Sequence, residues 1–151
     1  MPKKVNFRHI SVHDAPEESP GFLLWCVSVK WRTAIEKVLK PLGLTHPQFV
    51  ILATTGWLTR KGLLVSQIDI GRKAGLDPNT TSQIIRGLES KQLIIRTQTF
   101  DERSKNPALT AVGSSLLKQA LPLVESADHK FFAVLTLTEL RDFINIFQKL
   151  N

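Results

Sequence analysis

The sequence predicts a mainly α-helical domain with one small β-hairpin. Over most of the 151 residues, apolar side chains recur every three or four positions, as they do along helix faces. After Leu93 the spacing changes to the period of two that is typical of strands. A hydrophobic content of 42% is sufficient for the core of a single domain that spans residues 1–151.

Two helices are predicted before residue 60. In residues 20–40 the apolar residues lie on one helix face, and Pro41 and Gly43 end the segment. Thr45 and Gln48 have the spacing of a capping box, in which each residue satisfies a backbone N–H of the other. A second helix is therefore expected to begin there and to run to about residue 59.

Residues 66–90 predict two short helices joined by a turn. Ser66 begins the first helix, and Gly75, which tolerates a left-handed backbone, ends it. Asp77 caps the second helix, and Pro78 suits its first position because the missing N–H has no helical partner to lose. Together these segments form a helix-turn-helix pattern.

A hairpin and two further helices complete the predicted elements. The strand-like sequences "IIRTQTF" and "PALT" flank the turn sequence "DERSKN". Residues 110–133 predict a long helix that is kinked at Pro122, and Thr136 and Glu139 repeat the capping-box spacing before the last helix. The apolar stripe of the last helix includes Leu140, Phe143, Ile144 and Phe147.

The second helix of the helix-turn-helix pattern has a polar outward face. At about 100° per residue, Thr81, Ile85 and Leu88 lie on its inner side. The opposite side holds Asn79, Ser82, Gln83, Arg86 and Ser90. Such side chains can hydrogen-bond to base edges in a major groove, and the free N–H groups of a helix start favour a phosphate. Taken alone, the face is explained equally well by capping and solvation.

The residues around this helix favour DNA as the partner. Residues 60–105 hold nine Lys/Arg against five Asp/Glu, within a net charge of +7. Arg96 is expected at the base of the hairpin, and Arg103 and Lys105 at its tip, where a wing can reach a DNA groove. Two alternatives stay open: a winged-helix module that binds another protein, and a protein that binds DNA phosphates without sequence specificity.

Three segments, "LGLTHPQFVIL", "TTSQIIRGLESKQLIIR" and "DERSKNPALTAVG", resemble the MarR family of bacterial regulators. They match the family's second-helix opening, its recognition helix with the first wing strand, and its wing. The resemblance implies a winged helix-turn-helix DNA-binding lobe at residues 45–110. It also implies a homodimer formed by helices at residues 20–44 and 111–151. The function expected from it is a cytoplasmic, sequence-specific repressor that binds a pseudo-palindromic operator in double-stranded DNA.

Site residues follow partly from the face and partly from the resemblance. By position, Thr80, Ser82 and Gln83 match residues that contact bases in the family. Asp101 and Arg103 match its wing-tip motif, in which the Arg enters the minor groove. The expected DNA contacts are Asn79, Thr80, Ser82, Gln83, Arg86, Arg96, Arg103 and Lys105.

Two residues depart from the family pattern. Gln83 stands where the family usually has Arg, which changes the preferred base, commonly to adenine. Gln92 stands where the family usually has Gly, so a left-handed backbone there costs about 1 kcal/mol. A different local turn would instead change the angle of the wing.

The resemblance also implies a dimer interface and an effector. Relatives change their DNA affinity when a small aromatic ligand enters a crevice between the dimer helices and the DNA-binding lobe. The residues considered for its walls are Trp25, Trp31, Phe49 and Trp57, each of which is also explained as ordinary core. The apolar stripe of the last helix is expected at the dimer interface.

The sequence gives little support for catalysis, cofactors or metals. It has no Ser/His/Asp order, phosphate-binding glycine loop or HExxH motif, so an enzyme is not expected. Cys26 lies in the apolar run "FLLWCV" and is interpreted as an inert thiol. His9 and His13 have a spacing that could chelate a metal, but no complete ligand set adjoins them. A single cysteine and the absence of a bilayer-length apolar run favour the cytoplasm.

Overall fold

The fold is mainly helical with a two-stranded antiparallel hairpin, as predicted. The computed structural model describes residues 1–98 and 105–151. Its principal elements are α1 (Pro20–Leu39), α2 (His46–Thr59), α3 (Gln67–Ala74), α4 (Pro78–Ser90), β1 (Ile94–Gln98), β2 (Lys105–Leu109), α5 (Ala111–Phe132) and α6 (Leu137–Leu150). Short 3-10 turns lie at Phe7–His9, Pro16–Glu18 and Lys40–Leu42.

Capping side chains set the predicted helix starts. Thr45 Oγ1 accepts from the Gln48 backbone N–H at 3.3 Å, and Gln48 Oε1 accepts from the Thr45 N–H at 3.2 Å. Thr136 and Glu139 form the same reciprocal pair before α6. Because these bonds satisfy N–H groups that lack helical partners, both helices begin where the sequence predicts.

One core joins α1 to the lobe formed by α2–α4 and the base of the hairpin. Its fully buried side chains include Ile35, Leu39, Ile51, Leu52, Ile70, Ile85 and Leu88. α5 adds Ala120 and Val124, and it continues through Pro122 as one helix. The lobe is therefore packed directly against α1 and α5.

The helix-turn-helix depends on a close approach that the sequence did not reveal. A Cβ on Gly71 of α3 would lie only 2.5 Å from the Thr81 Oγ1 of α4. Thr81 is fully buried, and its hydroxyl donates to the Asp77 carbonyl at 2.8 Å. The two helices pack at this distance because residue 71 has no side chain.

α6 differs from the other helices in its burial. All of its residues are described, and none of them is buried. Phe143 stacks on Phe147 with 4.2 Å between ring centroids, and Phe132 of α5 lies 5.2 Å from Phe143. The predicted stripe therefore forms an aromatic cluster that is partly exposed to solvent.

None of the helices in the described ranges has the length and hydropathy of a membrane span.

Candidate nucleic-acid interface

The start of α4 is organised by Asp77. Asp77 Oδ1 accepts from the backbone N–H groups of Asn79, at 3.0 Å, and Thr80, at 2.9 Å. The Thr80 hydroxyl donates to Asp77 Oδ2 at 2.5 Å. This hydrogen bond, followed by the one from the Thr80 N–H, lowers the pKa of the exposed Asp77 carboxyl. The Thr80 hydroxyl hydrogen is thus used in the helix cap, and the hydroxyl oxygen and the methyl group remain free to contact a ligand.

α4 has the two faces that the sequence predicts. Thr81, Ile85 and Leu88 are fully buried against the core. On the other side, Asn79, Gln83, Arg86 and Ser90 are exposed, and Thr80 and Ser82 are half-buried. The polar side chains expected to contact bases therefore lie together along one accessible face.

The wing is an antiparallel ladder directly after α4. Its register runs from Ile94 opposite Leu109 to Gln98 opposite Lys105. The two residues of the predicted wing-tip motif, Asp101 and Arg103, lie outside the described residues. Lys105 is the first residue of β2 and pairs with Gln98, at the end of the ladder away from the core.

Arg96 has a partner inside the protein, which the sequence interpretation missed. Its Nε donates to Glu89 Oε1 at 2.7 Å, and its Nη2 bonds to Glu89 Oε2. The two side chains are only 18% and 26% exposed. The guanidinium is thus bound by Glu89 of α4. A Glu seven residues earlier is outside the local pairings that a sequence pattern reveals.

The turn between α4 and β1 is left-handed at Gln92, whose φ is 58°. The Gln92 N–H donates to the Glu89 carbonyl at 2.8 Å, and the Leu93 N–H donates to the Leu88 carbonyl at 2.9 Å. These two bonds define a Schellman motif, which normally has Gly at the left-handed position. The chain therefore keeps the turn that Gly would make, at a cost in strain, and the turn itself is not altered.

The far end of the turn is fixed to α5. The Thr110 hydroxyl donates to the Gln92 carbonyl at 2.7 Å, and the Thr110 N–H donates to the Leu93 carbonyl at 3.1 Å. A Cβ on Gly113 would lie 1.9 Å from that Leu93 carbonyl oxygen. Only Gly is compatible with this approach of α5 to the wing.

Lys91 connects the end of α4 to the start of α2. Its Nζ donates to the Gly43 carbonyl at 2.6 Å and to Gln48 Oε1 at 2.8 Å. Gln48 is also the second member of the capping box of α2. This bridge was not predicted, because its partners lie 48 and 43 residues away in the sequence.

One cavity lies between the lobe and α5, and another lies among the helices from the two ends of the chain. The first, of about 630 Å³, is bounded by the end of α2, the wing strands and α5. Its lining includes Arg60, Lys118, Leu117 and Leu121. The second, of about 360 Å³, lies between α1, α5 and α6, and Trp31 lines it beside Phe132 and Phe143.

The four aromatic residues predicted as effector walls are dispersed. Trp31 lines the second cavity, and its Nε1 donates to Asp128 Oδ1 at 2.6 Å. Phe49 belongs to the buried core, whereas Trp25 and Trp57 are exposed. The Arg60 guanidinium lies 3.6 Å from the Trp57 ring centroid. These placements come from core packing and a surface cation–π contact, which aromatic composition alone does not distinguish from a pocket.

The single thiol and a buried histidine lie outside the α4 face and the wing. Among them, no group of three or more His, Cys, Asp and Glu side chains is arranged to hold a metal ion. Cys26 is half-buried on α1. His46 is buried beside Trp31, with ring centroids 4.9 Å apart, and desolvation followed by the charge of Arg32 lowers its pKa.

The fold and this surface define a winged helix-turn-helix protein of the nucleic-acid-binding class. The family model that matches the chain is that of the MarR family, over residues 44–105. The chain is 35% identical over 131 residues to the Bacillus subtilis HTH-type transcriptional regulator YdcH, covering 82% of this chain and 84% of that protein. It is 32% identical to the Mycobacterium tuberculosis HTH-type transcriptional repressor Rv2887, covering 86% and 91%.

This chain therefore belongs to the MarR family, whose members are transcription regulators and not enzymes. Solved structures of a MarR family protein resemble the fold of this chain. The complex of Rv2887 with salicylic acid has a TM-score of 0.68 at 31% identity and covers 93% of this chain and 100% of its own. The complex of Rv2887 with DNA has a TM-score of 0.66 at 30% identity and covers 88% and 98%.

Proposed function

We propose that this protein is a cytoplasmic repressor that binds a pseudo-palindromic DNA operator as a homodimer. The observation that carries the proposal is the outward face of α4, which is polar and accessible while its inner face is fully buried. A helix with this division can enter a major groove without disturbing the core that holds it. The relative Rv2887, named a repressor, has been solved with DNA.

Gln83 is proposed as the principal base contact. It is exposed near the middle of α4, and a Gln amide can donate and accept at one adenine at the same time. Arg86 lies three residues further along the same face, and Asn79 and Ser82 flank Gln83. The helix N-terminus favours a phosphate, and Arg103 and Lys105 are proposed to extend the contact through the wing.

A homodimer is proposed because the chain exposes apolar side chains on helices from both of its ends. Leu24 and Trp25 of α1 are exposed, as are Ile144 and Phe147 of α6. The proposed interface on α6 comprises Leu140, Phe143, Ile144 and Phe147. A twofold dimer would place two α4 helices about 34–36 Å apart, as two half-sites of one operator require. Light scattering should give twice the 17.0 kDa of one chain, and a monomeric mass at micromolar concentration would contradict the proposal.

The effector is proposed to be a small aromatic acid that binds the cavity beside the wing. Arg60 and Lys118 supply positive charge there, and Leu117 and Leu121 supply apolar walls. This combination suits a carboxylate on an apolar ring. Rv2887 has been solved with salicylic acid. A Lys118→Ala variant should lose most of the thermal shift that salicylate produces, whereas Lys130→Ala, on the same helix but outside this cavity, should keep it.

DNA binding is tested by fluorescence anisotropy with the protein's own promoter region and a scrambled duplex, at two salt concentrations. Wild type should prefer the promoter region. Gln83→Ala should reduce that preference by about 1–3 kcal/mol, and Lys105→Ala should weaken binding to both duplexes and flatten the salt dependence.

Gln119→Ala, an exposed Gln on α5, is the matched control and should leave the preference unchanged. Equal and steeply salt-dependent binding to both duplexes would favour nonspecific phosphate binding instead. No binding at low salt would favour a protein partner.

A further inference from the structure

We infer that the ion pair between Glu89 and Arg96 holds the wing at the angle at which it can reach DNA beside the recognition helix. Arg96 is then a positioning residue and is not itself a contact to a base or phosphate. The consequence for DNA rests on the proposed function, whereas the consequence for the wing does not. Neither residue's role follows from the face of α4 described above.

The geometry of the pair is directional. The Nε and Nη2 groups of Arg96 each bond to a different carboxylate oxygen of Glu89. Two parallel bonds fix the plane of the guanidinium relative to the carboxylate, which a single contact does not do. Since Glu89 is on α4 and Arg96 is on β1, the pair fixes one element relative to the other.

Arg96 is placed where such a contact controls the hairpin. Successive strand residues face opposite sides, and Ile94 is buried while Ile95 and Thr97 are exposed. Arg96 therefore lies on the same inner face as Ile94, about 6–7 Å further from the base of the hairpin. Ile94 anchors the strand through the core, and Arg96 anchors it next, through Glu89.

The surroundings make the pair more than a surface contact. Both side chains are mostly shielded from water, so removal of one leaves the other charge desolvated without its partner. The exposed pair of Arg32 and Glu36, at 3.0 Å on α1, offers a contrast because both side chains there are about half exposed. Removal of one charge should therefore shift a strand in the shielded pair of Glu89 and Arg96, and it should have little effect in the exposed pair of Arg32 and Glu36.

Replacement of the acid gives a test whose sign is informative. Glu89→Gln keeps the size of the side chain and makes the protein more positive, so simple electrostatics predicts tighter binding to DNA. Loss of the wing's position predicts weaker binding. The experiment compares wild type, Glu89→Gln, Arg96→Ala and the exchanged pair Glu89→Arg/Arg96→Glu, with Arg32→Ala as the control that removes one positive charge elsewhere.

Two readouts are taken on the full-length protein. Hydrogen exchange of the β1 and β2 amides reports the wing without DNA, and anisotropy reports affinity for the promoter duplex. Glu89→Gln and Arg96→Ala should accelerate wing exchange and weaken binding by about tenfold. The exchanged pair should recover most of both, and Arg32→Ala should leave wing exchange unchanged.

Unchanged wing exchange in Glu89→Gln, together with equal or tighter DNA binding, would overturn the inference. A second outcome would also overturn it: Arg96→Ala loses affinity for DNA, and the exchanged pair restores normal wing exchange but does not restore the affinity. Arg96 would then contact DNA itself. If wild type bound no duplex, the proposed function would fail, and the exchange rates of Glu89→Gln would still decide whether the pair holds the wing.

Discussion

Replacement of Gln92 by Gly should stabilise the protein. Gln92 has φ 58°, and its side chain is exposed. Relief of a left-handed conformation at a residue with a Cβ is worth about 1–2 kcal/mol, and the added freedom of Gly in the unfolded chain takes back about 0.4–1 kcal/mol. The expected net gain is about 0.5–1 kcal/mol, or a rise in Tm of roughly 1–4 °C for a domain of this size.

Calorimetry and urea denaturation of Gln92→Gly would measure this gain. The hydrogen bonds of the turn use backbone groups and are retained in the variant. Gln119→Gly is the matched control, because the same substitution inside α5 should cost about 1 kcal/mol. An unchanged or lowered Tm in Gln92→Gly would refute the claim that the turn stores strain, since nothing else at that position changes.

Two further substitutions probe the packing around the recognition lobe. Gly71→Ala should destabilise the protein by about 1–3 kcal/mol in urea denaturation, because its Cβ would lie 2.5 Å from Thr81 Oγ1. Gly21→Ala is the control, because its Cβ would enter open space. Equal stability of the two variants would contradict the close approach of α3 and α4. In the folded protein the pKa of His46 lies below its ordinary value of 6.5, so the unfolded chain binds a proton at this residue more readily. The neutral His46 therefore contributes stability above about pH 6.5, and this contribution is lost as the pH falls through the folded-state pKa. His46→Gln should flatten the dependence of the urea midpoint on pH in that window, and an unaltered slope in this variant would refute the assignment.

The helices were predictable because their signals are local. Capping residues such as Thr45 and Asp77 and the left-handed Gly75 lie within a few positions of the boundary they set. The burial of Ile85 within α4 likewise follows from spacing along one helix. Local chemistry therefore determines where each helix begins and which side faces the core.

The features that position the wing were not predictable in this way. Glu89 meets Arg96 only when the turn at Gln92 has folded, and Lys91 reaches Gly43 only when α2 and α4 have packed. Such contacts depend on the distance between elements, which no periodicity reports. The assignment of Arg96 as a DNA contact came from its charge and its place in the hairpin, both of which also suit a buried ion pair.

The proposed effector cavity and the proposed wing contact are joined by a single strand. Thr97 lines the cavity and follows Arg96 directly in β1, and its hydroxyl donates to the carbonyl of Asn106, another lining residue, at 3.1 Å. A ligand that displaces this part of the ladder must move Arg96 relative to Glu89 on α4. Because a bidentate pair tolerates little displacement, a small shift at the cavity would be sufficient to release the wing from its angle. On this reasoning, Glu89→Gln should both weaken DNA binding and reduce the further weakening caused by salicylate, since the contact that the ligand acts on is already lost.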